Sequence, residues 1–585
     1  MTNEERDKAV LGLYERVLEI EQRLIPTGMH VFGQAPELNQ LASLLQVVAS
    51  FDRYDPDIHA QLDGSAHRAR ALTDLVAAGL GFLPYSDLIK ESVEGERFAG
   101  ERERVESIVR RSVDLFLSDS GGGGAELAVS FLEREAAVAP EESCGVFQVL
   151  QRVLTNLCAG DELDALSRAL RGEYIEPGPG ADIIQNPEAL PSGRNTHAIN
   201  PYVIPSPVAV ERARPVVGAL LERHLRESGR YPQTIAMVLW GIDNIKTQGE
   251  AVAQALWLLG VTPLRDSLNR ATDVHVVPLA TLGRPRIDVV MTVSGIFRDL
   301  FGSTMALLDR AVRTVAALDE PDNMNYVRRN VNRAVSDEGV SNADAASRVF
   351  SNAAGNYGTN VNFMVLDSKW ESANELGDLF VKRKCFAYGR GQDGREARQL
   401  MESMLARVEL TYQNIDSVEV GIIDVDHYFE YLGGVSKAVE QRSGARPSVY
   451  VADSTSPAAK VRTLEETVRL ETRTKTLNPK WYEGMLSHGF SGVAEIEHHV
   501  TNTFGWSATV DAVDSWIYNE VAATFVLDKA MLDRLKSLNP HSARSLVGRL
   551  LEAEGRGLWK VDEPTLDRLR EAFEGIEDEI EGVVA

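Results

Sequence analysis

The stretch Thr234–Gly260, TIAMVLWGIDNIKTQGEAVAQALWLLG, restricts the possible folds more than any other part of the chain. Ile235 to Trp240 form an apolar run that reads as a buried strand. A short polar loop follows, Gly241 to Thr247, and an amphipathic helix begins near Gly249. Strand, loop and helix in that order make the unit of a doubly wound sheet, whose ligands bind outside the carboxyl ends of the strands. The loop gathers Asp243, Asn244 and Lys246, and Glu250 sits in the first helical turn. Asp and Asn are also ordinary turn and cap residues, so a loop that merely turns a corner explains part of this composition.

The surrounding pattern extends the sheet. Strands are expected at 234–240, 273–278, 287–293 and 447–452, with helices over 208–227, 249–259 and about 301–318. IDVVMTV runs into Ser294–Phe301, which carries Arg298 and Asp299. Two loops at the carboxyl edge of one parallel sheet would place Asp243, Lys246, Arg298 and Asp299 along one crevice. Neither GxGxxG nor a Walker A pattern occurs in the first loop, so a nucleotide site has little support there.

At 585 residues the chain exceeds one core, and about three to four domains are expected. The expected class is multidomain α/β: a mostly helical region over 1–172, a loop plus doubly wound α/β domain over 173–330, a mixed α/β region over 331–460 and a mostly helical region over 461–585. Residues 322–420 read as mostly helical, broken at SNAAGNYGTN (351–360). A net charge of −25 argues against nucleic acid as a partner. No apolar run reaches transmembrane length, and MTNEERDKAV does not read as a signal peptide, so a cytoplasmic location is expected. Cys144, Cys158 and Cys385 form no CxxC pair, which leaves neither a disulfide framework nor a thiolate metal site.

Two further segments hold chemistry. The proline-, glycine- and asparagine-rich run from 173 to 207 contains PSGRNTHAINP, which brings Arg194, Asn195 and His197 within four residues. Long ordered loops are usually functional, although a linker with a capping Asn is the plainer account. Near the C-terminus, LNPKWYEGMLSHGFSGVAEIEHHVTNTFGW gathers Trp481, Glu483, His488, His498, His499 and Trp506. Adjacent His498 and His499 do not share a helix face, and no HExxH occurs, so zinc is not expected.

Taken together, PEALPSGRNTHAINP, YPQTIAMVLWGIDNIKTQGEAVAQAL, LGRPRIDVVMTVSGIFRDLF, VADSTS and RTKTLNPKWYEGMLSHGFSG resemble the large subunits of magnesium chelatase and cobaltochelatase. TNTFGWSATVDAVDSWIYNE and LNPKWYEGM look closer to the magnesium, bacteriochlorophyll branch. The resemblance implies insertion of Mg²⁺, as substrate, into protoporphyrin IX, with ATP hydrolysed by separate AAA+-type motor subunits rather than bound here. Cobalt insertion into a corrin precursor and a non-catalytic tetrapyrrole carrier are the alternatives. Full-length members are about twice as long and carry a HGxxEF-type motif that is absent here, which implies a C-terminal portion, a naturally split subunit whose N-terminal half is a separate partner, or a shortened paralogue.

Metallating a porphyrin means removing two pyrrole protons and delivering an oxygen-preferring ion that sheds water reluctantly. Under this reading Asp243, Glu250 and Glu483 are the acids, His197 and His488 the bases, and Asp243 and Glu250 the metal ligands. Trp240, Trp481 and Trp506 wall the macrocycle. Arg194, Lys246 and Arg298 meet its propionates, with Asn195, Asn244 and Asp299 beside them. A plain alternative applies to each: most Trp residues are core, and many such charges form structural ion pairs.

Overall fold

The computed structural model describes residues 29–583 except 55–66, 92–95, 119–122, 181–182, 185, 197–198, 390, 418 and 456–459, together with Val17 and Ile20. Its centre is a mixed eight-stranded sheet: β1 (Thr234–Leu239), β2 (Asp288–Val293), β3 (Val349–Ser351), β4 (Phe386–Gly389), β5 (Gln392–Glu396), β6 (Leu410–Ile415), β7 (Ser448–Asp453) and β8 (Lys460–Thr463). In space the order is β5-β4-β3-β2-β1-β6-β7-β8. β3, β2, β1, β6 and β7 run parallel, and β4, β5 and β8 are antiparallel additions at the edges. The chain winds outward from β1 through β2 to β3. It then returns to the other side of β1 and winds outward through β6 to β7. The winding reverses between β1 and β6, which opens a crevice at their carboxyl ends.

All six residues of both β1 and β2 are buried, as expected for parallel strands covered on both faces. One face packs against α1 (Pro207–Ser228), α3 (Glu250–Leu259) and α5 (Gly302–Ala316). The helix α1 opens on Ser206, whose Oγ accepts the Ala209 N–H at 3.2 Å, and stops at Gly229 in the left-handed conformation. The other face carries helices between residues 361 and 443 and the long α6 (Phe490–Val510). Ala236 and Val238 of β1 share that core with Ile496, Val500, Phe504 and Trp506 of α6, so the C-terminal helices are continuous with the sheet. The N-terminal helices between Leu38 and Leu170 enclose a separate core around Leu45, Val76, Val109 and Leu150.

The strands expected at 234–240, 287–293 and 447–452 and the helices at 208–227, 249–259 and 301–318 are present within one or two residues. Two expectations need correction. The strand near 273–278 is Ala271–Val276, and it pairs with Val261–Arg265 in a separate hairpin rather than joining the main sheet. Residues 322–420 are not mostly helical, because they contribute β3, β4, β5 and β6. LTYQNI in β6 looks too polar for a central strand, yet all six residues are buried. Partners distant in sequence satisfy its polar groups: Ser436 bonds Thr411 at 2.7 Å, Gln254 bonds Tyr412 at 2.8 Å and Trp240 bonds Gln413 at 3.3 Å.

The proline-rich segment ends against the same turn that leaves β1. The Ser206 N–H donates to Gln248 O at 2.9 Å. Gly249 has φ 90°, and a Cβ there would lie 2.4 Å from Ile204 Cγ2. Only glycine allows this approach.

At the opposite end of β2, Asp288 accepts Arg348 Nε at 2.8 Å, Arg348 Nη2 at 3.0 Å and Asn330 Nδ2 at 2.8 Å. Asp288 and Arg348 are both buried. Asp288→Ala would strand the guanidinium, and we expect a loss of ~3–5 kcal/mol, read as a lowered urea midpoint. A midpoint within error of the parent would refute this role.

Candidate functional site

β1 delivers Trp240 and then α2 (Gly241–Lys246) to the crevice. Asn244 Nδ2 donates to Trp240 O at 2.7 Å, and its Oδ1 accepts the Val252 N–H at 3.3 Å. Asn244 thus braces the strand-to-helix turn, with both ends of its amide occupied by backbone. Asp243, by contrast, is buried with an Oδ1 that accepts no hydrogen bond among the described residues.

The facing groups come from β6. Tyr412, Asn414 and Asp416 alternate along the chain and so share a face. Asp416 is buried, and its Oδ2 lies 3.3 Å from Lys246 Nζ. That contact is close enough for an ion pair but lacks hydrogen-bonding geometry, so Oδ2 accepts no hydrogen bond among the described residues. Glu250, at the start of α3, is 3% exposed, and its Oε1 is 3.4 Å from Gln254 Nε2. Gln254 Oε1 lies 2.8 Å from Tyr412 Oη, which is 2.6 Å from the Asn414 amide.

Burial dominates the electrostatics. It drives the Asp243 carboxyl well above the usual carboxylate range, reinforced by the charges of Asp416 and Glu250. Burial also pushes Glu250 up to about 7, against the opposing influence of Arg212 and Gln254. Carboxyls with proton affinity near neutrality suit acid–base work.

Aromatic rings line the same edge. Trp240 lies 4.5 Å from Tyr431 and 5.7 Å edge-on from Tyr428, ring centre to ring centre. Lys384 Nζ lies 4.2 Å from the centre of the Tyr431 ring and donates to Val293 O at 2.6 Å and Asn352 Oδ1 at 3.0 Å. Burial holds this lysine well below its ordinary pKa. Two open concavities elsewhere, one lined by Glu37, Leu38 and Asp114 and one by Asp309, Arg310 and Arg313, share no residue with this crevice.

The structure separates the other expected site residues. Arg298 and Asp299 leave β2 beside α2, in α4 (Gly295–Leu300), but Arg298 does not offer a cation at a rim. It is buried and donates to Ala353 O and Asn356 O, both at 2.8 Å, and to Asp299 Oδ1 at 2.7 Å. Asp299 also accepts the Tyr357 hydroxyl, so the pair clamps the 352–357 loop. Asn195 Nδ2 donates to Pro179 O at 2.8 Å and Ala189 O at 2.6 Å, which closes its own loop, and Arg194 O accepts the Gly178 N–H at 2.8 Å. His197 lies outside the described residues. Glu483 is exposed and pairs with Arg534 at 2.7 Å. His488 Nε2 accepts the Met29 N–H at 3.0 Å. Trp506 cannot wall an open slot, because it is fully enclosed and bonds Ile422 O at 2.9 Å. Trp481 is likewise buried, stacked 4.2 Å from His499.

Asp416, Asn414, Gln413, Tyr412, Tyr428 and Tyr431 are site residues that the sequence reading passed over. The period-two spacing of Tyr412, Asn414 and Asp416 is a strand signal that the helical reading obscured. His499 Nε2 meets Asp424 Oδ1 at 2.8 Å and its Nδ1 meets Thr476 Oγ1 at 3.1 Å.

A carboxyl whose pKa is higher folded than unfolded holds extra protons in the native state. Its stability contribution is therefore full below about 4.5 and lost as pH rises through about 7. For Glu250 the full swing is ~3 kcal/mol. Glu250→Gln should flatten the decline in urea midpoint between about pH 5 and about pH 8. Parallel pH profiles for parent and variant would refute the assignment.

The CobN/Magnesium Chelatase family model matches residues 1–566. The chain is 45% identical over 594 residues to the magnesium-chelatase subunit ChlH, chloroplastic, of Oryza sativa subsp. indica, covering 99% of this chain and 43% of that protein. It is 45% identical over 425 residues to a magnesium-chelatase subunit of Cereibacter sphaeroides, covering 72% of this chain and 35% of that one. Identity to the aerobic cobaltochelatase subunit CobN of Sinorhizobium sp. is 32% over 582 residues, covering 94% and 45%. Among solved structures, the catalytic subunit of cobaltochelatase from Mycobacterium tuberculosis superposes with a TM-score of 0.88 at 31% identity, covering 99% of this chain and 47% of that one. The chain spans less than half the length of these relatives. With the family model spanning residues 1–566 and a relative 45% identical across 99% of this chain, the chain that builds this doubly wound core belongs to the CobN/magnesium chelatase family.

Proposed function

We propose that this chain is the portion of a magnesium chelatase large subunit that holds protoporphyrin IX and accepts its pyrrole protons as Mg²⁺, the second substrate, enters the ring. The observation that carries this reading is the buried group of Asp243, Asp416 and Glu250 at the sheet's switch point, in which Asp243 Oδ1 and Asp416 Oδ2 accept no hydrogen bond among the described residues. Mg²⁺ favours oxygen and loses water reluctantly, so carboxylates in a low-dielectric crevice suit it better than nitrogen or sulfur ligands. Glu250, titrating near 7, can take up a proton that the porphyrin releases and return it to solvent. Trp240, Tyr428 and Tyr431 supply an aromatic flank for a flat macrocycle.

Asp243 and Glu250 are almost wholly enclosed, so the ring reaches them only when the crevice opens. We assign that work to separate AAA+-type motor subunits that hydrolyse ATP, and completion of the site to the part of the large subunit that this chain does not span. A cobalt-inserting version is the second reading, favoured by the structural likeness to a cobaltochelatase catalytic subunit. The higher identity to the magnesium-chelatase subunits supports magnesium.

Deuteroporphyrin should quench tryptophan fluorescence saturably, with the N-terminal half added where needed. With motor subunits and ATP, Mg²⁺ insertion should exceed Co²⁺ insertion. Asp243→Asn should leave quenching within about twofold of the parent and cut insertion by at least ~100-fold. Absence of saturable quenching, or full insertion by Asp243→Asn, would defeat the proposal.

A further inference from the structure

Tyr412 makes two short contacts with one hydroxyl proton, both to atoms placed as acceptors: 2.8 Å to Gln254 Oε1 and 2.6 Å to Asn414 Oδ1, with Asn414 Nδ2 left without a partner among the described residues. Gln254 turns its Nε2 toward Glu250 Oε1, at 3.4 Å, so its carbonyl faces Tyr412 and takes the phenolic hydrogen. The contact to Asn414 then has to be donated by the Asn414 N–H₂. The two ends of an asparagine amide are nearly indistinguishable by shape and are assigned from their hydrogen bonds. With the amide oriented to satisfy Tyr412, the Asn414 carbonyl oxygen takes the place of the group that otherwise finds no partner there.

That orientation changes the character of the crevice. Asn414, Asp243 and Asp416 are 4%, 6% and 6% exposed, and each then presents an oxygen without a donor. Asp243 Oδ1 and Asp416 Oδ2 are the carboxylate members. Unsatisfied buried oxygens are costly, more so when charged, so three of them around one strand end call for a cation. Lys246 is the nearest positive group, 3.3 Å from Asp416 Oδ2 yet outside hydrogen-bonding geometry. Its contact is that of a counter-ion only.

Resting on the functional reading above and deepening it, we propose that Asp243, Asp416 and the carbonyl oxygen of Asn414 form an entry site for a hydrated divalent cation, and that Lys246 occupies it as a place-holder, displaced when the ion arrives. The donor set is all oxygen, which selects Mg²⁺ or Mn²⁺ over softer ions. Few protein ligands are enough, because Mg²⁺ keeps several waters. Glu250 stands behind the site, one relay away through Gln254 and Tyr412.

The test is Mn²⁺ binding to the full chain, followed by loss of the free-ion EPR signal, without porphyrin or nucleotide. One Mn²⁺ per chain, displaced by Mg²⁺, is expected. Asp416→Asn and Asn414→Leu should each weaken binding at least tenfold. Asn414→Asp, which keeps an oxygen at that position, should retain it, and this separates loss of a ligand from loss of folding. Lys246→Met should strengthen binding several-fold, an effect that a purely structural lysine would not produce. Superimposable titrations for the parent, Asp416→Asn and Lys246→Met would overturn the proposal, as would weaker binding by Lys246→Met. Porphyrin quenching reads the parent hypothesis separately: quenching without this Mn²⁺ pattern removes only the entry site, whereas the Mn²⁺ pattern without quenching removes only the porphyrin reading.

Discussion

The molecule depends on the parallel pairing of β1 with β6. The two strands are far apart in sequence and lie side by side because the winding of the sheet reverses between them. Backbone pairing fixes their carboxyl ends at one level and brings Asp243 and Asp416 into each other's field. Two carboxylates enclosed together are unfavourable, since burial and mutual repulsion both oppose ionisation. The fold accepts that cost at the place where a doubly wound sheet presents its ligand crevice.

The surrounding structure keeps the crevice in shape by occupying polar groups nearby. Asn244 secures the turn out of β1, Arg298 clamps the 352–357 loop, and Lys384 fastens that loop's first residue to the end of β2. Glu430 is buried in a π-wound segment, Phe429–Gly433, and accepts the Asn360 N–H at 2.8 Å and the Thr359 hydroxyl at 3.0 Å. His427, at 2.7 Å, caps the same carboxylate from the exposed side. A second π-wound segment, Thr472–Thr476, supplies Lys475 to Asp424, which also receives His499. Such windings are frequent near functional sites because they redirect a side chain without breaking the helix. Here one directs Glu430 and Tyr431 inward beside Trp240.

Charged groups thus divide into two kinds. Asp288 with Arg348 is a buried ion pair, and Arg286 with half-buried Glu320 a partly buried one, and in both donors and acceptors match. At the switch point the match fails: Asp243 and Asp416 retain oxygens without donors, and Lys246 approaches without bonding. A buried oxygen without a partner calls for an explanation, and an ion bound beside it is one.

The amino-acid sequence by itself determined the central strand–turn–helix unit, the helices flanking it, the family and the placing of Asp243 and Glu250 at a strand's carboxyl end. These follow from local periodicity and from turn chemistry, which act over a few residues. It misassigned β6, because the strand's polar side chains are satisfied only by Ser436, Gln254 and Trp240, contacts that no local pattern reveals. Its choice of Trp506 and Glu483 rested on residue type, and its choice of Arg298 on loop position. Tertiary packing gave Arg298 to backbone carbonyls, Trp506 to the core and Glu483 to a surface ion pair. Only the folded sheet decided that Asp243 lies in the field of Asp416, since strand order is set by burial of both sheet faces at once. A strand's own residues do not encode which neighbour it receives.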